Sequence, residues 1–182
     1  MKKTLNDPNS KPNEKVRHEY IIDMANGIFY LHNNGILHRD IKPANLLIFS
    51  TEMEDTILAK LTDFGSSRNL NQLMKNMTFT KGIGTPAYMA PEILKKERYQ
   101  MPSDIFSFAI TMYETFAWRA AYSKEKFKFE WSIADFVSHG NRLEKDDNIS
   151  TEEFDIIQKA WCAEPDKRTK INEIINALKS LV

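Results

Sequence analysis

The sequence is short of cysteine, of long apolar runs and of net charge, and each shortage narrows what the chain can be. Its single cysteine, Cys162, excludes an internal disulfide and fits a reducing compartment. It follows Trp161 in a helical pattern, which marks a packed thiol rather than a reactive one. No apolar run approaches the roughly 18–20 residues that span a bilayer. The opening MKKTLNDPNSKPNEK carries no hydrophobic segment behind its lysines, so the expectation is a cytoplasmic chain with neither a secretory signal nor a membrane span. Twenty-five basic side chains offset 25 acidic ones. With no global field to attract a polyanion, nucleic acid and anionic membrane are not expected partners. Internal repeats and long low-complexity tracts are absent as well.

What is present is a globular balance, 42% apolar and 27% charged over 182 residues, which suits one domain with a sizeable core. Residues 1–13 hold Asn6, Pro8, Asn9, Ser10, Pro12 and Asn13 and read as a polar lead-in loop, so the domain is placed at 14–182. Val16, Tyr20, Met24, Ala25, Ile28 and Leu31 fall three or four apart and predict an amphipathic helix ending near Asn33, Asn34 and Gly35. The apolar runs at 46–49 and 57–61, joined by the polar STEMEDT, predict a hairpin of two buried strands. Residues 66–85 carry little periodicity and predict a long loop, a length that is usually functional or disordered. Beyond Pro91 the pattern is helical. Residues 103–117 are apolar almost all round, which predicts a central buried helix. Trp131, Ile133, Ala134, Phe136 and Val137 mark another, Ser150 and Glu153 form a capping box for a third, and Ile171, Ile174, Ile175, Leu178 and Leu181 mark the last. The predicted fold class is mostly α with one small β-hairpin.

The chemistry concentrates in HRDIKPAN at 38–45. Phosphoryl transfer asks a protein for hard-oxygen metal ligands, cations on the phosphates and a group that orients the attacking hydroxyl. Asp40 can accept a hydroxyl proton, Lys42 can sit on a transferring phosphate, and Asn45 offers an oxygen to Mg²⁺. AKLTDFG supplies a second metal ligand in Asp63, with Phe64 expected to anchor the turn in the core and Gly65 to free the backbone. In GTPAYMAPE, Glu92 is expected to pair with the distant Arg168. His38 reads as a packing and hydrogen-bonding histidine. His18, His32 and His139 read as surface residues with no metal-ligand spacing among them.

His38-Arg39-Asp40 with Asn45, then Asp63-Phe64-Gly65, then Ala90-Pro91-Glu92, in that order, resemble the signatures of the eukaryotic protein kinases. Asp104 and Arg168 fall where the same resemblance expects structural residues. The likeness covers nearly the whole chain but corresponds to the family's C-terminal lobe, lacking the N-terminal β-rich lobe. It implies ATP and Mg²⁺ as cofactors and a protein substrate, with Asp40 as catalytic base, Lys42 on the γ-phosphate, and Asn45 and Asp63 on the metal. Lys42 together with Thr85 resembles serine/threonine specificity, and SDIFSFAITMYE with Trp161 is similar to the tyrosine-kinase-like branch. Phe106 stands where that branch has Trp, Ala109 where Gly is common, and Thr169 where Pro is usual. Thr78 and Thr80 are either ordinary loop residues or phosphorylation sites whose phosphate Arg39 would bind. No glycine-rich loop and no V-A-I-K-type lysine occur in the 182 residues. Two functions therefore compete: a serine/threonine kinase completed by a missing N-terminal lobe or a partner over the ATP site, and an inactive remnant that binds other proteins.

Overall fold

A computed structural model of the chain describes residues 11–69 and 85–182. Helix α1 (Glu14–Asn33) starts where the Asn13 side chain accepts the Val16 N–H at 2.9 Å, satisfying one of the amides that a helix N-terminus leaves unpaired. It ends at Gly35, whose φ of 66° suits a residue without a Cβ. The predicted apolar stripe faces inward, but the buried arc is wider and takes in Arg17, His18 and His32. The helix is wedged between a β-hairpin, the central helix and the C-terminal helix, so charged positions are enclosed along with apolar ones.

Strands β1 (Ile36–Leu37), β2 (Leu46–Ile48), β3 (Ala59–Leu61) and β4 (Arg68–Asn69) form two antiparallel pairs. In the hairpin Leu46 faces Leu61 and Ile48 faces Ala59. Only one of its faces is covered. Leu46, Ala59 and Leu61 are buried, whereas Leu47, Phe49 and Ile57 are about half exposed, which corrects the expectation of two fully buried strands. The second pair, β1 with β4, escaped the sequence reading because two-residue strands carry no alternation to detect. It ties the start of the 38–45 run to the segment just beyond Gly65.

Two contacts fix the hairpin on α1. One oxygen of Asp23 accepts the N–H groups of Leu58 and Ala59 at 2.8 and 2.9 Å, satisfying the amides where β3 begins. Gly27 lets the strand approach so closely that a Cβ built there would lie 3.1 Å from the Leu61 Cβ. Gly27→Val therefore overpacks this seam and is expected to lower stability by about 1–3 kcal/mol, read as a lower denaturant midpoint at unchanged slope.

The remaining helices are α2 (Pro91–Leu94), α3 (Met101–Ala117), α4 (Glu130–Ser138), α5 (Thr151–Ala160) and α6 (Ile171–Lys179). Every residue of α3 from Ser103 to Ala117 is buried, as its unbroken apolar character predicts. The Ser150–Glu153 capping box opens α5 with both reciprocal bonds formed. In α4 the buried face is Ile133 and Val137; Trp131, counted among the helix's apolar positions, is 68% exposed and stacks on Phe129 at 5.8 Å. The result is a mostly helical body with small antiparallel strand pairs near residues 36–69. Among the described residues no helix is long and apolar enough to cross a membrane.

Candidate active site

The 38–45 run turns on itself because Pro43 opens a short 3₁₀ turn, Pro43–Asn45, that brings the Asn45 amide back onto Asp40. Asn45 Nδ2 donates to the Asp40 carbonyl at 2.7 Å and to Asp40 Oδ2 at 3.2 Å. Lys42 Nζ donates to Asp40 Oδ2 at 2.5 Å and to Thr85 Oγ1 at 3.0 Å, while the Thr85 hydroxyl donates to Asp40 Oδ1 at 3.2 Å. Asp40, Lys42, Asn45 and Thr85 are thus drawn from two distant segments into one network. With the Asn45 nitrogen committed to Asp40, the side-chain oxygen is the amide's remaining acceptor. The next strand is tied in by Thr62, which donates N–H and hydroxyl to the Asn45 carbonyl at 2.8 and 3.0 Å.

Asp63 follows β3 with a left-handed backbone, φ 62°, and its carboxylate is exposed apart from a long contact with the Gly65 N–H at 3.4 Å. A carboxylate and an amide oxygen are hard donors of the kind Mg²⁺ selects, so the residues fit the ion by donor type. Phe64 does not anchor a core. It is 52% exposed and lies in a T-shaped arrangement with the His38 ring, 5.5 Å between centroids. His38 itself is fully buried and bridges the two runs: Nε2 lies 3.0 Å from the Thr62 carbonyl, and Nδ1 accepts the Asp40 N–H at 3.3 Å. A carbonyl can only accept, so Nε2 carries the proton.

Beneath the run sits Asp104, with no solvent exposure. Its carboxylate accepts the backbone N–H groups of His38 and Arg39, each at 2.9 Å, the Tyr99 hydroxyl at 2.8 Å and His32 Nε2 at 3.0 Å. Burial pushes this carboxyl up, but the bond and charge of His32 and the two backbone N–H groups outweigh it and hold it below the usual aspartate range. These bonds clamp Arg39 at φ 72°, a backbone state that costs a non-glycine residue about 1–3 kcal/mol when nothing holds it. His32 and His18 are buried, at 7% and 3% exposure, which corrects their surface assignment; His139 is exposed. The Arg39 guanidinium lies 5.9 Å from the Tyr99 ring centre. Burial and the nearby Arg68 charge both lower its pKa. Thr78 and Thr80 lie outside the described residues.

A second buried pair holds the far side. Arg168 grips both oxygens of Glu92 at 2.8 Å, with its other donors on the Pro102 and Cys162 carbonyls, while Ser103 Oγ donates to Glu92 at 2.8 Å. Burial pushes the Glu92 carboxyl up, and Arg168 more than reverses the shift. Thr169 uses the N–H that a proline would lack, donating it to the Lys159 carbonyl at 3.2 Å.

The model of the family described as "Protein kinase domain" matches residues 1–178. The probable serine/threonine-protein kinase gdt2 of Dictyostelium discoideum is 36% identical over 171 residues, 93% of this chain and 10% of that protein. The RGS domain-containing serine/threonine-protein kinase A of the same organism is 33% identical over 91% of this chain and 14% of its own length. The putative serine/threonine-protein kinase/receptor R818 of Acanthamoeba polyphaga mimivirus is 31% identical over 95% of this chain and 10% of its own. The chain therefore spans about a tenth of the length of such relatives. A family model that runs almost end to end, over residues carrying the three signature runs in order, decides the matter: the chain belongs to the protein kinase family.

Proposed function

We propose that residues 14–182 are the catalytic lobe of a kinase of the tyrosine-kinase-like branch that transfers the γ-phosphoryl group of ATP to serine or threonine in proteins. The observation that carries this reading is the Asp40–Lys42–Thr85 network, in which one ammonium bridges a carboxylate and a threonine hydroxyl. A substrate hydroxyl that takes the place of the Thr85 hydroxyl meets a carboxylate able to orient it and accept its proton, and an ammonium ready for the phosphoryl oxygens. The names of the relatives, all serine/threonine kinases, support the same specificity. Asn45 and Asp63 would hold Mg²⁺, which when bound neutralises charge building on the phosphates. Arg39, with Arg68 close by, would receive a phosphate on Thr78 or Thr80 bidentately. The lone thiol Cys162 suits a cytoplasmic setting.

Completion by another segment or partner is part of the proposal. Leu47 beside Asn45 is 50% exposed, and Phe49, Met53, Ile57 and Phe64 are exposed as well, an apolar surface that a nucleotide and a second lobe would cover. Positioning and a closed electrostatic site supply most of the acceleration in phosphoryl transfer. Open to water, the same carboxylates and lysine act at high dielectric and lose much of their effect. Purified residues 1–182 are therefore expected to bind Mg-ATP weakly and to show no transfer of labelled phosphate to a basic protein. Transfer that vanishes in Asp40→Asn would overturn this expectation and make the lobe self-sufficient. If addition of a kinase N-terminal lobe restores no activity, the binding-module reading takes its place.

A further inference from the structure

On the opposite end of α1 from Gly35, two buried acceptor atoms face each other. His18 Nδ1 lies 2.9 Å from the Glu14 carbonyl oxygen, and a carbonyl can only accept, so Nδ1 bears a proton. Nε2 faces Glu153 Oε1, 3.2 Å away, and wherever it carries no proton its lone pair is directed at that oxygen. Both residues are 3% exposed, and neither atom has a hydrogen bond. Glu153 commits its other oxygen to the Ser150 N–H at 2.6 Å, which fixes the carboxylate in this orientation. Two buried lone pairs at this distance repel unless a positive centre lies between them.

We propose that His18, Glu153 and Glu14 form a binding site for a divalent transition metal, with Zn²⁺ as the ion that suits it. One donor atom from each of the three side chains can be brought within 4.8 Å of the others. Donors bound to zinc at about 2.1 Å in tetrahedral array stand about 3.4 Å apart, close to the spacing of His18 Nε2 and Glu153 Oε1. A ligating histidine characteristically donates its second ring N–H to a carbonyl, which fixes the tautomer, and His18 makes that bond to Glu14. Glu14 is exposed and would supply the third donor from the solvent side. The buried Arg17 feels the charges of both Glu153 and Glu14. Two carboxylates against one guanidinium leave a net negative charge for the ion to neutralise. An imidazole nitrogen with two carboxylates selects zinc over magnesium, so the site is distinct from that of Asn45 and Asp63. Sequence spacing hides it, because the third ligand lies 135 residues beyond His18 and no repeat of His or Cys announces it.

Isothermal titration of metal-stripped residues 1–182 with Zn²⁺, in excess Mg²⁺ to occupy hard-oxygen sites, tests the proposal. One equivalent should bind and raise the melting temperature. His18→Gln should weaken binding by about 10-fold or more, and so should Glu14→Gln, whose exposed side chain can change without endangering the fold. Asp63→Asn should leave the titration unchanged. Absence of saturable binding would overturn the proposal and leave a proton as the centre between His18 and Glu153. Unchanged affinity in Glu14→Gln, or binding lost in Asp63→Asn, would overturn it equally. If His18→Gln does not fold, Glu14→Gln decides.

Discussion

Arg168→Ala is expected to lower the free energy of unfolding by about 3–5 kcal/mol, because it strands Glu92 as an unpaired buried carboxylate. Glu92 is 6% exposed, and without the guanidinium its remaining side-chain partner is the Ser103 hydroxyl. The carbonyls of Pro102 and Cys162 lose donors in the same change. The pH dependence separates this mechanism from simple loss of packing. With Arg168 present, Glu92 titrates below its ordinary value of 4.5, so its contribution is complete above that pH and is lost as pH falls through the folded value. In Arg168→Ala only the Ser103 hydroxyl and a backbone hydrogen bond still oppose burial, so the folded value is expected to rise and the variant to regain stability relative to the parent as the medium is acidified. Denaturant midpoints measured at neutral pH and at successively more acidic pH check both parts. A midpoint that does not move at neutral pH would mean that the pair contributes nothing.

Asp40→Asn, in a chain completed by a nucleotide-covering lobe, is expected to reduce turnover by about 10²–10⁴-fold while leaving the fold and the protein-substrate KM close to those of the parent. The amide keeps an oxygen for Lys42 and Asn45 but cannot accept a proton from the attacking hydroxyl. Asp63→Asn should also abolish most turnover, with the loss appearing in Mg-ATP dependence rather than in hydroxyl orientation. Product analysis accompanies the kinetics: phosphoserine and phosphothreonine are expected, and mainly phosphotyrosine would overturn the reading of Lys42 and Thr85. Turnover within a few-fold of the parent would remove Asp40 from the base position.

The helices were legible because their signals are local: a 3.6-residue pattern from Val16, a stretch apolar almost all round at 103–117, and a Ser-x-x-Glu box at 150–153. The residues of the candidate site were legible as types in short runs. What the runs could not reveal is what holds them. Asp104 reaches His38 and Arg39 across 66 and 65 residues, and His32 across 72. A histidine on a helix looks the same in sequence whether it faces water or a buried acid. Phe64 erred the other way, since hydrophobicity predicts burial only when some other surface arrives to cover it.

The Asp104 clamp also bears on how this molecule reaches its native state. Backbone geometry at Arg39 depends on a carboxylate whose helix is synthesised some 65 residues later. Closing a loop of that length must precede any reward from the contact, so the 38–45 run has to wait for α3 to dock. Substitutions that loosen α3 should accordingly slow folding and disorder the 38–45 run together, leaving local helices intact while the Asp40–Lys42–Thr85 network fails to assemble.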